Sequence, residues 1–207
     1  MSSSSTLTVC CPRATAIASA VTVLNPCPDD IGQIQKMVFW RRGQTIASVA
    51  TAIISTTWTT LLAATGDTKA IPTPFLANVV IPASEAREFG GGNETRWGAP
   101  IRKGGSTVPV TATMYQVDQD TITALKKLAC ESLDVLFINE SNQIVYSDAT
   151  NVSGFQVVNN SLYVSDKGVG GLDDADQNMI TFNLKPNWSN TLEITTETTF
   201  ALDMINA

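Results

Sequence analysis

Apolar positions along the chain fall into short runs with two-residue alternation more often than into helical stripes. The clearest run is 108–115. There Val108, Val110, Ala112 and Met114 alternate with Pro109, Thr111, Thr113 and Tyr115, which predicts a strand with one buried and one solvent-facing side. Ile180, Phe182 and Leu184 repeat the pattern against Thr181, Asn183 and Lys185. Segments 135–138 and 144–146 flank a polar turn and read as a hairpin, and 154–158, 162–164 and 192–196 read as further short strands. Between Ile31 and Trp40 the spacing fits either a helix or a strand, and a strand over 36–40 is the reading taken. The Thr-, Ile- and Val-rich stretch 46–60 fits a pleated, half-buried surface, with a helical turn over 57–64 before Gly66.

One segment has a clear helical period. Ile122, Leu125, Leu128 and Ala129 follow Asp118 and Asp120, either of which can cap the first free amides, so a helix is expected at about 120–131. Cys130 lies beside Ala129 on its apolar side and reads as a core residue. Many strands and essentially one helix predict a mainly β fold: a β-sandwich or barrel-like pair of sheets with one flanking α-helix, 1–207 forming a single domain. Residues 1–12 open with a serine run and no periodicity, an N-terminal arm. Segment 82–107 is punctuated by Gly90, Gly91, Gly92, Gly98, Gly104 and Gly105. It reads as a long Gly-rich loop, and loops of that length inside a compact domain are usually functional or disordered.

Composition sharpens the picture. Only 15% of residues are charged, against about 25% in ordinary soluble domains. The chain has 26 threonines, 43% apolar residues and a mean hydropathy of +0.08. Much of the surface is therefore expected to be covered by a partner. A net charge of -6 and a pI near 4.6 argue against a nucleic-acid clamp, which needs clustered Lys and Arg. The chain has no His, which removes the usual general base and the commonest metal ligand. Cys10, Cys11, Cys27 and Cys130 form no paired metal spacing and read as reduced thiols, a bridge from Cys27 to Cys10 or Cys11 being the alternative. The apolar stretch 14–24 lacks a positively charged opening and is far short of the ~20 residues that cross a bilayer, so neither export by that route nor a membrane span is expected.

Candidate chemistry is sparse. Gly90, Gly91 and Gly92 lack the remainder of a phosphate loop. Asp174, Asp176 and Asn178 begin like a calcium loop, but Met179 and Lys185 occupy the positions of the turn glycine and the last carboxylate, so a solvated turn is expected. Asp118 and Asp120 read as caps rather than paired acids. No catalytic, cofactor or metal site is expected. Trp97 stands apart from the core pattern, as an anchor for a partner or as local packing.

The order of parts, with the stretch from Glu88 and Phe89 through the three glycines to Arg96 and Trp97, and with Leu184 to Asn190, resembles phage virion proteins, most closely the tail tube proteins of long-tailed bacteriophages. That resemblance implies a β-sandwich assembling with itself into hexameric rings whose inner strands form a continuous barrel. A long loop and a terminal arm would contact the next ring. It also implies a virion protein assembled in the host cytoplasm, a partner of other virion proteins, through which DNA passes without specific binding. Phe89, Gly90, Gly91, Gly92, Arg96, Trp97, Arg102 and Lys103 are then the subunit-interface candidates, and Asp173, Asp174 and Asp176 the lumen-facing acidic candidates. The alternatives are a capsid decoration or tail-completion protein and, third, a small carbohydrate-binding or enzymatic protein.

Overall fold

The structure is a computed structural model and describes residues 31–148, 150–195 and 205. The expected arm at 1–12 and Cys10, Cys11 and Cys27 lie outside the described residues. The chain divides into two units, one whose described part is 84–106 and a larger one holding 31–83 and the residues from 107 onward.

The larger unit is built from β1 (Ile34–Arg41), β2 (Thr45–Ile46), α1 (Val49–Ala52), α2 (Ser55–Ala63), β3 (Ile71–Pro72) and β4 (Ala77–Val80). The smaller unit supplies β5 (Ala86–Phe89) and β6 (Ile101–Gly105). The chain then continues as β7 (Val108–Tyr115), α3 (Gln119–Lys127), β8 (Leu133–Asn139), β9 (Ile144–Ser147), β10 (Val152–Ser153) and β11 (Phe155–Gln156). The last strands among the described residues are β12 (Tyr163–Val164), β13 (Gln177–Leu184) and β14 (Leu192–Ile194). The fold is mainly β, as expected. Sheet A runs β2-β10-β9-β8-β1-β3, with β14 on β9 and β11 on β8; sheet B runs β12-β13-β7-β4.

Side-chain alternation explains the layering. Met37 and Phe39 of β1 and Val135 and Phe137 of β8 meet Val110, Ala112, Ile180 and Phe182 of sheet B in one core. Phe39 and Phe182 close it edge to face at 5.6 Å. Ile122 and Leu125 of α3 join the same core. The intervening residues Val38, Trp40, Leu136 and Ile138 point to the other face of sheet A, into a second core with Ala52, Trp58 and Ile205. Every residue of β8 is buried, so its near-continuous apolar run is that of a strand covered on both faces.

Three expectations change. The stretch 46–60 is largely helical rather than extended. Thr59 and Thr60 donate their hydroxyls to the carbonyls of Ser55 and Thr56 at 3.1 and 2.9 Å, which satisfies polar side chains along the helix. Trp58, Leu61 and Leu62, at helical spacing, turn to the second core. The flanking α3 is thus one of three α-helices among the described residues. Second, α3 ends at Lys127 and tightens into a 3-10 turn over Leu128–Cys130, and Cys130 is exposed rather than core. Third, 82–107 is not an unstructured loop: β5 and β6 pair as an antiparallel hairpin, with a 3-10 turn at Arg96–Gly98 between them.

Candidate functional site

The hairpin has two dissimilar faces. Its register sets Phe89 opposite Ile101 and Glu88 opposite Arg102. Neighbouring residues of a strand face opposite ways, so the apolar pair and the opposite-charge pair lie on different sides. The Lys103 ammonium stands 4.7 Å from the centre of the Phe89 ring, and the Arg96 guanidinium 4.7 Å from that of Trp97. Trp97 is 88% exposed and holds a left-handed backbone (φ 64°), rare for a side chain of its bulk. Gly90, Gly91 and Gly92 all have positive φ and turn the chain after β5, where the Gly91 amide donates to Thr95 Oγ1 at 3.3 Å. The eight interface candidates therefore share one hairpin, with Arg102 on the side away from Phe89.

In the larger unit the outer face of sheet B is uncharged. From β7 it presents Pro109, Thr111, Thr113 and Tyr115; from β13, Gln177, Met179, Thr181 and Asn183. Tyr163 of β12 extends the row through Thr181, and Val80 of β4 extends it through Thr111. Neither β4 nor β12 has a second strand partner among the described residues.

Asp173, Asp174 and Asp176 lie in the turn that leads into β13. Gly168 and Gln177 close that turn with two backbone hydrogen bonds of 2.7 and 3.0 Å. Gly170 passes so near Asp174 that a Cβ there would lie 2.4 Å from the Asp174 carbonyl oxygen. Val169 is 80% exposed and Leu172 fully so. Asn178, the third residue of the calcium-like spacing, is instead buried in β13 and donates to the Ser165 carbonyl at 3.1 Å. Among the described residues no group of three or more His, Cys, Asp or Glu is placed to hold a metal ion. No helix among them is long and apolar enough to cross a membrane.

A cleft of about 450 Å³ opens beside β10 and β11, lined by Arg42, Asp134, Ser147, Gln156, Lys185 and Trp188 among others. Several of its polar groups pair with one another. Arg42 Nε faces the buried Asp134 carboxylate at 3.5 Å, and the Gly43 amide donates to the second Asp134 oxygen at 2.9 Å. Lys185 donates to Gln156, and the Ser147 and Thr191 hydroxyls meet at 2.6 Å.

The shifted titrations are structural too. Hydrogen bonds from the Thr121 hydroxyl and amide hold Asp118, the N-cap of α3, below the usual carboxylate range. A hydrogen bond and the charge of Lys126 do the same for Asp166. Arg41 is raised by its bond to Glu131 and by the charge of Asp67, and Tyr146 is raised chiefly by burial. Sequence reading missed the uncharged face as a unit; its signal was the lack of any charge at the outward positions of 109–115 and 177–183.

No protein-family model and no curated protein matches the chain. Three solved structures are similar to it. One, the tail of an empty GTA particle solved with C6 symmetry, shares 14% identity at a TM-score of 0.36, covering 64% of this chain and 89% of that one. The 6-fold symmetrised baseplate of the anti-feeding prophage shares 8% at 0.37, covering 81% and 96%. The cap that terminates the tube of the same prophage shares 12% at 0.33, covering 89% and 100%.

Proposed function

We propose that the chain is a virion structural protein, a tail tube subunit whose rings, hexameric in this reading, stack into a hollow conduit for phage DNA. The observation that carries the proposal is sheet B, an uncharged wall between two edge strands whose outer hydrogen-bonding groups meet no strand among the described residues. Free edges invite aggregation unless they are paired. Joining β4 of one copy to β12 of the next is a heterologous contact, and such contacts close into a ring when the rotation permits. The uncharged face would line that ring. With no Lys or Arg on it, phosphates find none of the counterion-releasing contacts on which DNA affinity depends, and DNA slides. Asp173, Asp174 and Asp176 join the sheet at the Gln177 end of β13, so in this reading they form an acidic rim at the mouth rather than a lining. In this reading the 84–106 hairpin is the joint between subunits.

Negative-stain electron microscopy of the purified protein at low and high concentration tests the reading. Hollow filaments or stacked rings are expected. Small uniform closed particles alone would overturn the tube and favour a capsid decoration or tail-completion role.

A further inference from the structure

We infer that the hairpin of one copy docks on the acidic turn 169–176 of a second copy; the inference rests on the assembly reading above and names the partner of its joint. Both surfaces expose apolar side chains, and the cations that flank them on the hairpin have no counterpart in the turn 169–176, whose charged residues are all acidic. The hairpin exposes Phe89, Trp97 and Ile101, with Lys103 and Arg96 held against two of those rings. The turn exposes Val169 and Leu172 beside Asp173 and Asp174. Exposed apolar groups grouped in this way, rimmed by charge, mark interaction surfaces. Aromatic rings with cations on one side match aliphatic side chains with carboxylates on the other. Segment 84–106 holds four cations and three carboxylates, a net of +1 in a chain of -6, whereas 169–176 holds three carboxylates and no cation.

The contact joins two different segments of the chain, which makes it heterologous. The chain re-enters sheet B at Val108, which pairs with Leu184. The acidic turn joins at Gln177, which pairs with Tyr115 at the far end of the same two strands. Seven residue steps separate these ends, about 24 Å at strand rise. A donor tethered at one end and an acceptor at the other let each copy pass the contact to the next, and a heterologous contact of this kind repeats along a stack. The ends of the acceptor turn are joined by the paired Gly168 and Gln177, and Gly170 lies close against Asp174 within it.

Sedimentation velocity on the full chain, over a concentration series at about 50 and about 500 mM salt, tests this through screening of the charge contact. Two charge-reversed variants are compared, R96E/K103E and D173K/D174K. All four side chains are exposed, so far-UV circular dichroism is expected to match wild type. Each variant alone is expected to associate at least about tenfold more weakly than wild type at low salt. Their equimolar mixture is expected to recover association, because each reversed hairpin then meets a reversed turn and each native hairpin a native turn. A variant that associates like wild type, or a mixture no better than its components, overturns the pairing. Replacing 85–105 with a short glycine link separates the two levels. If association survives that replacement, the joint reading itself is wrong. If it is lost there but kept in R96E/K103E, only the acidic-turn partner is wrong. A wild-type chain that stays monomeric throughout overturns both.

Discussion

At single residues the fold is held by close approach and by capping. Gly154 is buried, and a Cβ there would lie 2.8 Å from both Asp134 Cβ and Trp40 Nε1 and 2.9 Å from the Val135 amide nitrogen. Two of those atoms belong to strand backbone or to the indole of the second core, which cannot swing aside. Gly154→Ala is therefore expected to cost about 1–3 kcal/mol, read from the urea midpoint. Asp118 works differently, accepting the Thr121 amide at 2.8 Å and its hydroxyl at 2.6 Å at the start of α3. Its folded pKa is depressed, so its contribution is complete above the ordinary aspartate range and is lost as pH falls through the folded value. Asp118→Ala should lower Tm by about 2–4 °C at neutral pH, with the gap to wild type closing below about pH 4. Asp118 was legible in the sequence because a cap is a local pattern. Cys130 was not, because the change from α to 3-10 geometry after Lys127 turns it outward, and no spacing rule records that change.

Among elements, α2 shows where local preference and packing part company. Five of its nine residues are Ser or Thr, as a strand would favour, yet burial of Trp58 against sheet A decides the outcome. The Trp58 indole donates to the Ala52 carbonyl at 2.6 Å and so ties α1 to α2. Trp58→Ala is expected to cost about 3–5 kcal/mol. Thr60→Ala on the same helix, in contrast, exchanges a back-bonded hydroxyl for the best helix former and should be neutral or stabilising by a few tenths of a kcal/mol. Both follow from chemical denaturation. Strands with one wet face, β7 and β13, were readable because alternation survives there. In β1 both faces are covered and the period is erased, which is why 31–40 fitted a helix as well as a strand. The hairpin at 86–105 was hidden for a different reason: its strands are four and five residues long and exposed nearly throughout, so they carry no buried face to set a pattern.

For the whole molecule, the low charge that opened the question has a location. The outer face of sheet B holds uncharged side chains, polar and apolar, and most of the acids among the described residues lie in turns and at the ends of elements. One further property follows from the place of the hairpin in the topology. Segment 84–106 enters the chain between β4 and β7, and those two strands are hydrogen-bonded neighbours, with Val80 opposite Thr111. The points of departure and return are thus fixed by the sheet whatever lies between them. Doubling such an insertion costs only about 0.6 kcal/mol in closure entropy. A foreign peptide or a small folded tag spliced between Glu85 and Gly105 should leave the unfolding free energy of the sandwich, read by urea titration, unchanged to within about 1 kcal/mol on that reckoning. The position is an editable slot: a lineage can lengthen, trim or exchange what it carries there while the core that folds the chain goes on unaltered.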